Sequence, residues 1–522
     1  MAPSDLFFET QETSFHLFAF IPRKDTNISC VLFPSLHSSL LKRVFFPCIW
    51  YAVVYILACP LKENQREREQ SMKIIMIGGG GACIVCANTL RVLGNQAQID
   101  IYTRRDRTAY TPCEQPFVLR GTMSFEDMFY ATPPWFEKKN IGLHTERTVE
   151  AIDRERKVIM VDGQEVAYDI LLINTGAITT VPDIPGLDGE RVHYLTTELR
   201  YAEEIESIKP GAGGVAILGG GVIALEMSET LISKGYHDVE LVVSSENLLS
   251  QQLDPDMAAK LEPKVRTNGL SIHLATSVIR AEKQQGGVRL FLSGGDSIEA
   301  DWVFVAKGIV PNVELARKAG LRIGKTGGIE VNQFLQTSDP SIYAAGDCIE
   351  GWHMVQGTKL VTALATHSNR NGRVIGRNIQ FGNTVAFLGS LNTFGAEIFG
   401  TTVVSVGVTE HAARQEGVDV LSVVRKGTTR KKMFAGEDFW AKLIADPRTQ
   451  TLIGAQLLGT REIGRIGERI ILMIGEEIPL ARISQYETIF SPPLSNAYDL
   501  ITNEVDLLIT ELLRRGESVA WG

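Results

Sequence analysis

The chain has 522 residues, of which 44% are hydrophobic and 22% charged, and it carries 48 glycines. That is material for about three domains with real cores, and the composition is that of a soluble α/β protein. A formal charge of −9 supplies no global basic field, so nucleic acid is not an expected partner. Seven cysteines, an odd number with three before Met72, do not make a secreted disulfide framework; they fit a reducing, cytoplasmic compartment.

Residues 1–71 differ in character from the remainder of the chain. The uncharged, mostly apolar run 44–61, between Lys42-Arg43 and the charged run 62–69, has the length of a marginal membrane span or signal anchor, interrupted by Pro47 and Pro60. The preferred alternative is translation from Met72, which puts the first strand at the N-terminus; membrane association arises only if the extension is retained. No fold is assigned to it.

Residues 73–88 organise the rest. Ile74, Ile75, Met76 and Ile77 form a strand-like run, Gly78, Gly80 and Gly81 break it, and 83–93 has a helical pattern of small apolar residues. Strand, glycine turn and helix present backbone N–H groups and a helix N-terminus to a pyrophosphate. The spacing matches the dinucleotide fingerprint except that Cys83 stands for the third glycine. The second strand, 98–102, ends at Thr103 and Arg104 where an acidic residue normally holds the adenosine ribose. That contact is weakened or moved.

Cys113 comes next, in Tyr110-Thr-Pro-Cys113, soon after a strand end that delivers residues to the cofactor crevice. A thiol there works only as thiolate; positive charge or a helix N-terminus lowers its pKa, and the segment after Cys113 suits such a helix. An inert buried cysteine is the alternative, and position alone does not choose. Cys83 and Cys86 share a helix that must pack against the sheet; small-residue packing is expected, and no metal.

The run 169–176 reads as a buried strand ending in Thr175-Gly176, and Pro182, Pro185 and Gly186 mark a crossover. Residues 215–229 repeat the opening grammar with Gly219, Gly221 and Ala224, implying a second dinucleotide. Its second strand, 239–243, ends in Ser244-Ser245, with neither an acid for a ribose hydroxyl nor an arginine for a 2′-phosphate, so NADH and NADPH are not separable. A strand at 302–306 leads into Gly308, and one ending in Gly346-Asp347 suits a carboxylate beside a polar cofactor group, or a cap for the helix read at 361–378. From Ser390 an α+β domain begins, with strands at 401–408, 418–424, 439–445 and 452–458 and helices at 409–416 and 462–474. Its run 425–432 holds five basic residues: a solvated hairpin tip, or a site for phosphate or an acidic partner.

The motifs GGGGACIVCAN, YTPCEQP, LLINTGA, LGGGVIALEMSE, GIVPN, GGIEVNQFLQTSDPSIYAAGDC, SNRNGR and FSPPLS together resemble the FAD-dependent pyridine nucleotide–disulfide oxidoreductases. The narrower likeness is to the single-cysteine branch of coenzyme A-disulfide reductases, NADH oxidases and NADH peroxidases. The resemblance implies an α/β chain with two Rossmann-like domains and a C-terminal α+β dimerisation domain. The divisions are an FAD-binding domain over 72–187 and 311–389, an NAD(P)-binding domain over 188–310, and the dimerisation domain over 390–522. FAD falls on Gly78, Gly80, Gly81, Thr103, Arg104, Thr175, Gly176, Gly346 and Asp347. NAD(P)H falls on Gly219, Gly221 and Gly308, with Glu226 near the nicotinamide.

Electrons then pass through the flavin to Cys113, oxidised either as a mixed disulfide with a small thiol or as a sulfenic acid. The implied activity is reduction of coenzyme A disulfide or a related disulfide or persulfide by a homodimer. Ser491-Pro492-Pro493 would reach the partner subunit's site. The alternatives are a water-forming NADH oxidase and an electron-transfer subunit with a redox protein partner. Departures are Gly81 where the peroxidases have histidine, Phe490 in place of a tyrosine, and Glu114 and Gln115 beside the thiol. Arg91 is open to two readings, a coenzyme A phosphate contact or an ordinary helix-surface arginine.

Overall fold

The computed structural model describes residues 17–22, 28–33, 71–195 and 214–521. The chain divides at Met72 into two units. In the first, strands Leu17–Pro22 and Ile28–Phe33 pair antiparallel, so the extension given no fold contains a hairpin. The apolar run 44–61 lies outside the described residues. Among those described, no helix is long and apolar enough to cross a membrane.

The second unit carries two parallel sheets. In the first the strand order is Ile342–Ala344, Ile170–Ile173, Lys73–Ile77, Gln98–Tyr102, Gly142–His144. Ile74, Ile75 and Met76 are at most 2% exposed, which is why the central strand is a continuous apolar run and not an alternating one. The second sheet runs Val192–Tyr194, Trp302–Val305, Val215–Leu218, Val239–Val242, Leu270–His273. In each, a central strand ends in a glycine turn at the point where strand order reverses, and such points open the ligand crevice. An antiparallel pair, Ala177–Thr179 with Ile309–Pro311, carries the chain out and back.

Helix Gly81–Val92 packs on helix Ala365–Phe381 at backbone distance. A Cβ on Gly372 would stand 2.4 Å from Ala82 O, and one on Gly376 3.1 Å from Cys86 O. Cys83 and Cys86 are fully buried in this seam, and burial pushes both thiols well up. Among the described residues, no group of three His, Cys, Asp or Glu side chains is placed to hold a metal. Arg91 proves to be a strut: its guanidinium donates to the carbonyls of Lys139, Asn95, Ala97 and Asn140 at 2.7–2.9 Å, which engages four of its five N–H groups.

The C-terminal sheet is antiparallel, with strands Phe394–Ile398, Thr401–Gly407, Thr451–Gly459, Asp438–Asp446 and Leu421–Thr428 in that order, backed by helices Ile463–Gly475 and Leu500–Arg514. The strand at 394–398 and the last helix were not foreseen. Arg425 and Lys426 belong to the edge strand, not to a tip. Three of its five basic residues are in ion pairs: Lys426 and Lys432 share Asp438, and Arg430 pairs with Glu462.

This domain is held to the second sheet's domain by a buried lysine. Lys442 Nζ, 3% exposed, lies 3.2 Å from Asp254, 2.9 Å from Asp256 and 2.9 Å from Glu410. Asp254 also accepts from the backbone N–H groups of Glu410 and His411 and from Gln456 Nε2. Burial opposes the Lys442 charge, but hydrogen bonds to Glu410 and Asp256 and the charges of Asp254 and Asp256 outweigh it and raise its pKa. Burial likewise opposes ionisation of Glu410, yet bonds from Ser422, Lys442 and Arg414 bring it down to about 2.

Lys442→Met leaves carboxylates without their counterion and is expected to lower stability by about 3–5 kcal/mol, read as a fall in the urea midpoint; an unmoved midpoint would contradict this. Because the folded-state pKa of Glu410 lies below its ordinary 4.5, its contribution is complete above that value. It is lost as pH falls toward about 2. Acid titration of thermal stability should show that loss, diminished in Glu410→Gln.

Candidate active site

The first glycine turn is packed so closely by the protein that nothing larger than hydrogen fits its backbone. A Cβ on Gly78, whose φ is +105°, would meet Asn174 O at 2.0 Å; on Gly79, Thr108 Oγ1 at 2.0 Å; on Gly80, Asn174 Oδ1 at 2.5 Å; on Gly81, Asn369 Oδ1 at 2.6 Å. Thr108 Oγ1 also donates to Gly79 O, and Ser368 Oγ accepts from Ala82 N at 3.2 Å. Asn174 Nδ2 and Asn371 Nδ2 are buried donors without a partner among the described residues. The first would lie 3.1 Å from a Cβ on Gly346, so it sits between the two glycine segments. Buried amides are normally satisfied, and a polar cofactor in this cradle would satisfy these.

Asn174 and Thr108 were not anticipated. Asn174 lies in the run ending in Thr175-Gly176 but is not singled out by it, and Thr108 has no local mark; each meets the turn across the fold.

Gly346, at φ +74°, donates its N–H to Asn371 Oδ1 at 3.0 Å. This leaves Asp347 in the crevice, with no hydrogen bond or ion pair among the described residues, and burial pushes its carboxyl up to about 6. Thr175 Oγ1 donates to Asn312 O at 2.6 Å, and Gly176 O accepts from Asn312 N at 2.9 Å, closing the first sheet onto the returning strand. Thr103 is buried and its N–H and O pair with His144 O and Arg147 N, while Arg104 is exposed.

At the second turn Gly219 has φ +146°, and a Cβ would meet Ala306 O at 2.4 Å; Gly221 faces open space. Gly308, at φ +97°, accepts from Thr180 N through its carbonyl at 2.9 Å.

Cys113 sits in the short turn Pro112–Glu114, ahead of helix Gln115–Leu119. Tyr110 bridges to Phe129, and Thr111 N donates to Met128 O, fixing the segment from behind. Four described cysteines are free thiols, and of these Cys113 alone is exposed. Its sulfur is nevertheless set low enough that burial is the largest influence on it, followed by the charges of Glu226 and Asp347. The thiol of one segment is thus within electrostatic reach of a carboxyl from each dinucleotide unit. Glu226 is itself pushed up to about 7 by burial, against the pull of Arg120 and with Glu229 adding to the rise.

The expected drop in thiol pKa is not found. Burial, Glu226 and Asp347, with a smaller push from Glu114, raise it, and only the bond from its own backbone N–H works the other way. The following helix has five residues, too short to offset two buried carboxyls.

Two dinucleotide-type glycine turns, with a thiol that feels a carboxyl from each unit, define the class: an oxidoreductase moving electrons between two dinucleotides. Comparison with known proteins gives the family. The chain belongs to the pyridine nucleotide–disulphide oxidoreductases, matching that family over residues 72–371 and its dimerisation domain over 396–500; its cofactors are FAD and NAD(P)H. It is 30% identical over 442 residues to an NADH oxidase of Methanocaldococcus jannaschii, covering 82% of this chain and 96% of that one. It is 30% identical over 435 residues to an NAD(P)H coenzyme A polysulfide/persulfide reductase of Pyrococcus horikoshii, covering 82% and 96%. The solved NAD-dependent persulfide reductase from A. fulgidus superposes with a TM-score of 0.81 at 31% identity, covering 85% of this chain and 84% of that one.

In flavin-free protein, alkylation of Cys113 by iodoacetamide should show a midpoint above the ordinary cysteine value of about 8.5. Glu226→Gln should lower that midpoint. A wild-type midpoint in the acid range would contradict this electrostatic picture.

Proposed function

We propose that this chain is a cytoplasmic, homodimeric NAD(P)H:disulfide oxidoreductase whose substrate is coenzyme A disulfide or a related persulfide, with Cys113 as the redox thiol. The observation that carries the reading is the place of Cys113: an exposed free thiol under the influence of Glu226 and Asp347 together. We assign FAD to Gly78, Gly80, Gly81, Thr103, Arg104, Thr175, Gly176, Gly346 and Asp347, and NAD(P)H to Gly219, Gly221, Gly308 and Glu226. The division at 187, 310 and 389 is retained for the domains. Free thiols at Cys83, Cys86, Cys113 and Cys348 support a reducing compartment. The exposed apolar side chains of Ile489, Phe490, Leu494 and Tyr498 support a partner subunit over that segment.

When bound, FAD supplies the two-electron carrier between the nicotinamide and the sulfur. The chain's own part is positional and acid–base. Cys113 gives up its proton as Sγ attacks one sulfur of the substrate disulfide, forming a Cys113–S–S–R bond and releasing the other half, which takes up that proton as RSH. The electron pair of NAD(P)H, with two protons, then cleaves the mixed disulfide, returning Cys113 as thiol and releasing the second RSH. The balance is NAD(P)H, one proton and RSSR giving NAD(P)⁺ and two RSH. Glu226, titrating at about 7, is a proton store for this step, with Phe490 offering none.

The three carboxyls acting on the sulfur also bear on substrate class. A disulfide flanked by neutral arms, as in coenzyme A disulfide, enters without repulsion; one flanked by carboxylates, as in glutathione disulfide, does not. The raised thiol pKa favours one other reading, an electron-transfer role in which the sulfur does nothing.

Anaerobic titration separates the two. Enzyme first treated with coenzyme A disulfide and freed of the excess should take up two NADH per FAD, one for the flavin and one for the mixed disulfide on Cys113, and Cys113→Ser should reduce uptake to one. Equal uptake in both proteins would support electron transfer and overturn the thiol mechanism. Turnover with oxygen but not with coenzyme A disulfide would replace the reductase by a water-forming oxidase.

A further inference from the structure

Arg120 closes the helix after Cys113, and the thiol chemistry makes no use of it. Its Nη1 lies 3.0 Å from Glu229, with the two side chains only 13% and 19% exposed. Its Nε donates to Pro116 O at 3.3 Å, and the guanidinium stands 4.8 Å from the Phe117 ring centroid, folded back on its own helix. Nη2 is buried without a partner among the described residues. From the other side, Glu229 Oε2 accepts from Phe399 N at 3.1 Å. Lys234 Nζ donates to Leu119 O at 3.1 Å. The Cys113 segment, the second nucleotide unit and the C-terminal domain therefore meet on one carboxylate.

Glu229 stands one turn beyond Glu226 on helix Val222–Ser233, a spacing that puts both on one face. The groups acting on Glu226 are Arg120 from the Cys113 helix and Glu229 from its own, and Glu226 in turn acts on the Cys113 sulfur. Glu397 also feels Arg120, but Arg461, 2.5 Å away, already neutralises it. The charge of Arg120 is thereby left for Glu229 and Glu226.

We propose that Arg120 is a positioning residue: its buried clasp on Glu229 fixes the Cys113 helix against the helix bearing Glu226 and sets the charge that Glu226 presents to a bound nicotinamide. The placing of the nicotinamide at Glu226 rests on the proposed function. Since an ionised Glu226 attracts the positive ring of NAD⁺, affinity for NAD⁺ rises with pH as that carboxyl loses its proton. Arg120 holds the transition lower than Glu226 alone would have it, and Glu229 holds it higher.

The test is the dissociation constant of NAD⁺ for the FAD-loaded enzyme, followed through the flavin absorbance across about pH 5.5 to 8.5, a span bracketing the transition. Arg120→Leu should move the inflection upward by about one unit or more. Arg120→Lys, which keeps the charge, should restore it. Glu229→Gln should move it downward, and Glu226→Gln should abolish it. An Arg120→Leu inflection coincident with wild type overturns the proposal, as does an inflection that persists in Glu226→Gln. Should Arg120→Leu fail to fold, Glu229→Gln decides: an unshifted curve is equally fatal. No electrons move in this assay, so its failure leaves the Cys113 titration standing, and the reverse also holds.

Discussion

The organising constraint is a sulfur placed where two partly desolvated carboxyls from different nucleotide units act on it at once. Charges so buried are screened less than surface charges, so Glu226 and Asp347 act on Cys113 more strongly than Glu114, its neighbour along the chain. The same burial raises their own pKa values to about 7 and about 6. Both carboxyls thus act on the one thiol.

Holding that arrangement requires backbone to approach backbone more closely than side chains permit. Gly78 against the Asn174 carbonyl, and Gly372 against that of Ala82, are two places where a Cβ has no room. They bring the first turn, the end of strand Ile170–Ile173 and the helix after Asp347 into one cradle. The domains are then locked by buried ion pairs, Lys442 with its carboxylates and Arg120 with Glu229. Such pairs add little net stability over apolar packing, because desolvation offsets the attraction. Each joins side chains from different segments of the fold.

Much of this was legible in the sequence because it depends on short-range rules. Glycine turns after apolar strands, at Gly78 and at Gly219, are local statements about φ and about what a pyrophosphate needs. The antiparallel C-terminal domain was legible in its alternation, apart from strand Phe394–Ile398 and helix Leu500–Arg514. What escaped was written in contacts distant along the chain. Arg91 gave no local sign that four carbonyls would use its donors. Thr108 carries no motif, Asn174 and Glu229 lie within motifs that do not single them out, and the pKa of Cys113 went the wrong way because its neighbours along the chain are not its neighbours in space.

The central claim is that Cys113 itself changes covalent state during turnover. Peptide-level mass spectrometry of the thiol, on enzyme mixed with coenzyme A disulfide and then with NADH without air, tests it most directly. The account predicts a coenzyme A adduct on Cys113 after the first addition and a free thiol after the second, with Cys83, Cys86 and Cys348 unmodified throughout. A Cys113 that remains unmodified while NADH is consumed would contradict it.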